Sequence, residues 1–172
     1  FDTIYSDAIV RSSGTAVGGI VGQVNAGSAN KMTNCWFAGE VNLITDKAER
    51  AGGMVGFVLL DGTKLTIDNC LTSGSISSER ASGASNVGGF VGIVDVSAEL
   101  IIQDSIHTGS FDVDNTNGVG TAIGNVGASS VNITETYGVA GSYKGIGIGK
   151  ATSGAVALYA EANLKGYEAY ED

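Results

Sequence analysis

One short phrase recurs along the chain and limits what it can fold into. Val17-Gly18-Gly19-Ile20-Val21-Gly22-Gln23-Val24 returns as Ala51-Gly52-Gly53-Met54-Val55-Gly56-Phe57-Val58 and again as Val87-Gly88-Gly89-Phe90-Val91-Gly92-Ile93-Val94. Val119-Gly120-Thr121-Ala122-Ile123-Gly124-Asn125-Val126 is a weaker fourth copy. From Gly19 to Gly53 to Gly89 to Thr121 the steps are 34, 36 and 32 residues. A second phrase keeps pace: Asn34-Cys35, Asn69-Cys70, Asp104-Ser105 and Thr136-Tyr137. Gly39, Gly74, Gly109 and Gly141 follow it, then Val41, Ile76, Phe111 and Tyr143. Self-similarity at such a period is the signature of stacked repeat architectures.

Each unit is expected to hold three short strands. The first carries the glycine phrase, and the second alternates, as in Leu65-Thr66-Ile67 and Leu100-Ile101-Ile102. The third runs through the Val41/Ile76/Phe111/Tyr143 position. Gly, Asn, Asp and Ser bound these segments, as turns require. No segment before residue 155 keeps a helical apolar stripe without a glycine break. Composition agrees, with Gly 27 and Pro 0. Proline removes a ladder hydrogen bond, and a chain built of paired strands has reason to exclude it.

A single unit cannot bury its own apolar face, whereas stacked units set each Val, Ile, Leu or Phe on its counterpart about 4.8 Å away. Each such side chain contributes about 1.5–3 kcal/mol on burial. The expected fold is therefore all-β: a β-solenoid (parallel β-helix) of about four to five stacked three-strand repeats in one domain, residues 1–172. The repeats run 17–43, 51–78, 87–113 and 119–143, with a partial unit at 1–10 and a shortened one at 145–164. Gly22, Gly56, Gly92 and Gly124 form a column where a Cβ should clash. The Ile20 and Val21 columns are both apolar, so either a bulge turns one inward or a loop covers it. Opening on Phe1 with no leader segment, the chain reads as excised from a longer protein.

The quartets Gly19-Ile20-Val21-Gly22, Gly53-Met54-Val55-Gly56 and Gly89-Phe90-Val91-Gly92 resemble the GLUG motif. Thr121-Ala122-Ile123-Gly124 departs at its first position. The spacing of the Asn-Cys or Asp-Ser phrase also resembles such repeats, as does the ending Asn163-Leu164-Lys165-Gly166-Tyr167. The resemblance implies a bacterial, secreted or surface-anchored protein, in the company of adhesin-like proteins and the non-catalytic regions of immunoglobulin-A-specific metallopeptidases. It implies no mechanism.

Chemistry-bearing residues are few. A net charge of -9 with nine scattered basic residues argues against nucleic acid and against anionic lipid. No apolar run approaches the ~20 residues of a spanning helix. His107 is the only histidine, too few for a zinc peptidase, in a column with Phe37, Thr72 and Val139. A nucleophilic triad would have to use it with Ser105 or Ser110. Among Asp61, Asp68, Asp95, Glu99, Asp104, Asp112 and Asp114, the pair Asp68 and Asp104 falls on neighbouring columns of successive rungs. That arrangement suits a glycan-cleaving β-helix, although a solvated acidic face is the better reading of it.

Asp112-Val113-Asp114-Asn115-Thr116-Asn117-Gly118 alternates oxygen ligands as calcium loops do, but lacks a closing glutamate and reads as an inter-strand loop. Cys35 and Cys70 share a column and should be adjacent, as buried thiols or as a rung-to-rung disulfide, whose geometry stacked positions suit poorly. By themselves they do not fix a redox compartment. Asn34, Asn69 and Asp104 beside them suit a ladder along the stack. Asn132-Ile133-Thr134 is a chance sequon in a bacterial protein.

No catalytic, cofactor or metal residue is assigned. A non-catalytic structural or interaction module, for adhesion or spacing, is the expected function, secreted or at the cell surface. Its partners would be a host protein or glycan and the rest of the parent chain. The alternatives are an accessory domain of a secreted immunoglobulin-A-type metallopeptidase and a glycan-cleaving β-helix.

Overall fold

The computed structural model describes residues 1–27, 29–45, 50–79, 85–127, 129–138, 148–151 and 156–159, the last two segments as backbone. Every element among them is a β-strand, and every strand pairing is parallel. The chain is a β-solenoid. Strands one turn apart pair in sequence order, giving three sheets of five and two of four.

Three sheets are the expected walls. The first stacks Asn30–Thr33, Lys64–Asp68, Glu99–Gln103, Ser130–Thr134 and Val156–Tyr159. In the second are Ile9–Ser12, Glu40–Leu43, Ser75–Ser78 and Ser110–Val113, and in the third Val21–Val24, Val55–Val58, Val91–Val94, Ile123–Val126 and Ile148–Ala151. Val24, Val58, Val94 and Val126 stand in register, as the repeat predicts. Thr3 to Val10 belong to an earlier rung, with Tyr5–Ser6 paired to Trp36–Phe37 and Val10 to Val41.

The three-strand expectation needs correction, because each full turn has five strands. Two-residue strips occupy the corners: Tyr5–Ser6, Trp36–Phe37, Leu71–Thr72, Ile106–His107 and Tyr137–Gly138 at one, and Val17–Gly18, Ala51–Gly52, Val87–Gly88 and Val119–Gly120 at the other. The glycine phrase is two strands and not one, broken by bends at Gly19-Ile20, Gly53-Met54 and Gly89-Phe90. That corner answers the puzzle of two adjacent apolar columns. Met54 and Val55 are both fully buried, as are Phe90 and Val91, because the chain turns between them.

The fourth unit sits one residue away from the expected phase. His107 pairs with Gly138 and not Val139, so Glu135-Thr136, and not Thr136-Tyr137, matches Asn34-Cys35. Val139, Gly141, Tyr143 and the Asn163-to-Tyr167 ending lie outside the described residues.

Inward-facing Met32, Leu65, Ile67, Leu100, Ile102, Val131 and Ile133 from the first wall meet Val41, Leu43 and Ile76 from the second in one continuous core. Close backbone approach decides the glycine columns. A Cβ on Gly56 would strike the Val17 backbone and come 2.7 Å from the Gly22 carbonyl oxygen. On Gly92 it would come 2.7 Å from the Ala51 nitrogen. At Gly22, on the first strand of this wall, a Cβ would meet only the Ala16 carbonyl oxygen at 3.3 Å, a contact that a shift of a few tenths of an ångström relieves.

Candidate functional site

Local backbone geometry builds the most distinctive surface. Between the first wall and the strip that follows it, each rung turns on one left-handed residue: Thr3 (φ 56), Asn34 (φ 55), Asn69 (φ 51), Asp104 (φ 48) and Glu135 (φ 42). Asn and Asp tolerate this region because their short polar side chains bond locally. The resulting edge is an exposed polar ladder, as the sequence suggests. Asn69 Nδ2 donates to Asn34 Oδ1 at 2.6 Å, and Asn34 Nδ2 donates to Asp2 Oδ1 at 3.1 Å.

One residue further, Cys35, Cys70, Ser105 and Thr136 point into the core. The Cys35 amide donates to Cys70 Sγ at 3.4 Å, and the Cys70 amide donates to Ser105 Oγ at 3.1 Å. The two cysteines are adjacent and free. Burial, the largest cause, pushes the Cys70 thiol up to about 11.

Strand alternation then turns the next residue outward, producing a file of Tyr5, Trp36, Leu71, Ile106 and Tyr137 along the stack. Tyr5 is 57% and Trp36 43% exposed. Their rings meet edge to face with centroids 4.9 Å apart. Trp36 Nε1 donates to Ser73 Oγ at 2.8 Å, which fixes the indole. Tyr137 Oη donates to Glu135 Oε2 at 2.9 Å, and this carboxylate raises the phenol pKa. Between ladder and file runs a groove of about 280 Å³ lined by Asn34, Trp36, Asn69, Leu71, Asp104 and Ile106, with Cys35 and Cys70 at its floor. None of its lining residues is basic.

The other candidates are not gathered into a site. His107 is 1% exposed, with Nδ1 2.8 Å from Thr72 Oγ1 and the rings of Phe90 and Phe111 at 6.4 and 5.0 Å. Burial pushes its pKa down to about 4, and Nε2 has no hydrogen-bond partner. Ser105 Oγ donates to the Gln103 carbonyl at 2.7 Å, and Ser110 is exposed at the start of the second wall. Neither arrangement aims a nucleophile at an imidazole.

Asp68 pairs with Lys31 at 2.8 Å on the outer face of the first wall, and this hydrogen bond holds its carboxyl below the usual 3.8. Glu99 pairs with Lys64 at 2.7 Å on the same wall, while Asp104 stands on the corner ladder. Asp112 and Val113 end a second-wall strand, and in the 114–118 loop that follows Asn115 Oδ1 accepts from the Asn117 amide at 3.0 Å and Gly118 has φ 75, so this oxygen shapes a turn. Among the described residues no group of three or more His, Cys, Asp or Glu side chains is placed to hold a metal ion. Asn132 is exposed on the first wall, paired with Ile101.

A second recess was not expected from sequence. Arg50 lies over the Phe57 ring at 4.1 Å, beside a hollow of about 240 Å³ lined also by Ile93, Asp95, Val96 and Asn125. Asn125 Nδ2 donates to Asn86 Oδ1 at 3.0 Å.

Fold and surface together define a β-solenoid repeat protein whose Asn34–Ile106 groove runs along the stack. Comparison with family models, curated proteins and solved structures gives no match.

Proposed function

We propose that this chain is a non-catalytic structural and interaction module of a bacterial surface or secreted protein, serving adhesion or spacing toward a host protein or glycan. The observation that carries the reading is the outward file of Tyr5, Trp36, Leu71, Ile106 and Tyr137. Large apolar side chains aligned on an exposed face mark contact surfaces more often than scattered ones do. Rung repetition supports the same reading, since a solenoid wall offers many shallow contacts in line. The GLUG-like quartets support the placement outside the cell.

The test is retention. Beads coated with the chain are passed over mucin, matrix glycoproteins and cultured epithelial cells, beside beads carrying Leu71→Lys or Ile106→Lys. Both positions are partly exposed, so a lysine can reach water without entering the core. Retention that falls with either variant supports an interaction face on this file. Equal retention of all three coatings would remove the reading.

A further inference from the structure

We infer that the groove between the asparagine ladder and the Trp36 file binds a linear, uncharged polysaccharide lengthwise; this rests on the interaction reading above and names its ligand class. Three observations converge. First, the groove offers side chains only. The strip backbone is already spent between rungs, with Trp36 N donating to the Ile4 carbonyl at 2.7 Å, and Leu71 N and Ile106 N donating to the Cys35 and Cys70 carbonyls at 2.9 Å. An extended polypeptide that docks by strand addition would find no free ladder here.

Second, the two sides of the groove match the two aspects of a sugar chain. A pyranose has an apolar C–H face and an edge of hydroxyls that both donate and accept. The Trp36 ring, held by Ser73 and by Tyr5, supplies a fixed apolar platform. Opposite it, a carboxamide has two N–H donors and a carbonyl with two lone pairs. Asn34 spends one donor on Asp2 and one lone pair on Asn69, and Asn69 spends one donor on Asn34. Each amide thus keeps a donor and an acceptor, the combination that vicinal hydroxyls take. The two amides stand on successive rungs, about 4.8 Å apart along the axis, with Leu71 and Ile106 continuing the apolar side beyond Trp36.

Third, charge selects against the acidic polysaccharides. Asp104 lines the groove, Asp2 and Glu135 extend the ladder, and none of the groove's lining residues is basic. A polyanion would meet repulsion without compensation.

The chain's single tryptophan is Trp36, so its fluorescence reports on the groove directly. The experiment titrates the purified chain with cellohexaose, mannohexaose, laminarihexaose and, for contrast, polygalacturonate and heparin. Saturable change in Trp36 emission, with protection from iodide quenching, is expected for at least one neutral hexaose and for neither polyanion. By calorimetry, Trp36→Ala and Asn69→Asp should each weaken that binding roughly tenfold. Asn69→Asp keeps the left-handed corner while removing the donor to Asn34, so it serves where Trp36→Ala disturbs folding. Binding to none of the neutral hexaoses, binding indifferent to both variants, or preference for the polyanions would each overturn the inference. Bead retention that depends on Leu71 and Ile106 without any hexaose binding would leave the interaction reading standing and make the partner a protein.

Discussion

The methyl of Thr121 occupies the space that a Cβ on Gly138 would need, and the two residues have exchanged sizes relative to the rest of the stack. In the other rungs a glycine at one corner faces a larger side chain from the other corner's strip: Gly19 against Phe37, Gly53 against Thr72 and Gly89 against His107. Where the larger column shrinks to Gly138, the small column grows to Thr121. The departure of the fourth glycine phrase is therefore compensated packing and not decay. Gly138→Val alone should destabilise by about 1–3 kcal/mol through overpacking. In the Thr121→Gly background the same change should cost clearly less, a coupling of about 0.5–3 kcal/mol for touching residues. A double-mutant cycle by urea unfolding measures it, and additive costs would contradict the exchange.

Gly56→Ala should lower the unfolding midpoint far more than Gly22→Ala, although both occupy one column. The inner position places a Cβ against the backbone of Val17 and the Gly22 carbonyl, whereas the outer one meets only Ala16. Backbone on either side of Gly56 is locked in rungs and cannot give way. A cost of about 1–3 kcal/mol is expected at Gly56 and under about half of it at Gly22. Matched urea curves decide, and equal midpoints would mean that the outer rung is as closely covered as the inner one. Tightness is not confined to this column, because a Cβ on Gly109 would strike the Gly74 carbonyl more severely still.

Columns were legible in the sequence wherever residue type recurs, and corners were not. Identical valines and glycines revealed the register of the third wall. Nothing in Gly19-Ile20 announces that the chain turns there, since both flanking residues are apolar and the bend needs no proline. The fourth unit slipped by one because its left-handed corner carries Glu135, φ 42, in place of Asn or Asp. The Trp36 file was readable in principle. Cys35 and Phe37 are buried, so strict alternation turns Trp36 outward, yet its column holds Tyr, Trp, Leu and Ile, whose types do not recur as the inward columns do. Which side chains a ladder and a file bring together across a corner depends on the turn angle, and no periodicity encodes it.

Protonation of His107 should set an acid limit on stability. Burial holds the folded pKa near 4 against an ordinary 6.5. The unfolded chain then binds more protons between those values, so stability is full above pH 6.5 and falls as pH drops toward 4. The loss amounts to about 3 kcal/mol at most. Thr72, Phe90 and Phe111 around the ring offer no counter-charge to soften it. Unfolding free energies across this range should slope in the parent and flatten in His107→Phe, paired with Thr72→Val so that no hydroxyl loses its partner. A slope of equal size in both would assign the acid limit to other groups.

The cysteines should be slow to react in the folded chain. Cys70 is 3% and Cys35 1% exposed, and a thiol pushed up to about 11 is scarcely ionised at neutral pH. A disulfide-exchange reagent should label neither until denaturant is added, after which both should react as free thiols. Cys70→Ser should fold, because Ser105 fills the same column and accepts the Cys70 amide with its hydroxyl. Rapid labelling under native conditions would show that the groove floor opens.

The last expectation concerns the acids that suit a glycan-cleaving β-helix. Such an enzyme needs one carboxylic acid with a raised pKa to protonate the leaving oxygen, facing a second carboxylate a few ångströms away. Asp68 has the opposite environment, since its bond to Lys31 favours the ionised form and lowers the pKa from 3.8. Asp104 belongs to a different column, at the exposed corner beside Asn69. By linkage, a depressed carboxylate adds stability above its unfolded pKa and loses it as pH falls through the folded one. With Lys31 half exposed, that contribution is at most about 1 kcal/mol. Titration followed by carboxyl NMR should therefore place Asp68 below 3.8 in the parent, and Lys31→Ala should raise it. The neutral hexaoses that test the groove should come through prolonged incubation intact, with no new reducing ends. Cleavage that disappears in both Asp68→Asn and Asp104→Asn would replace the binding reading with a hydrolytic one, because only paired catalytic carboxylates would show that joint dependence.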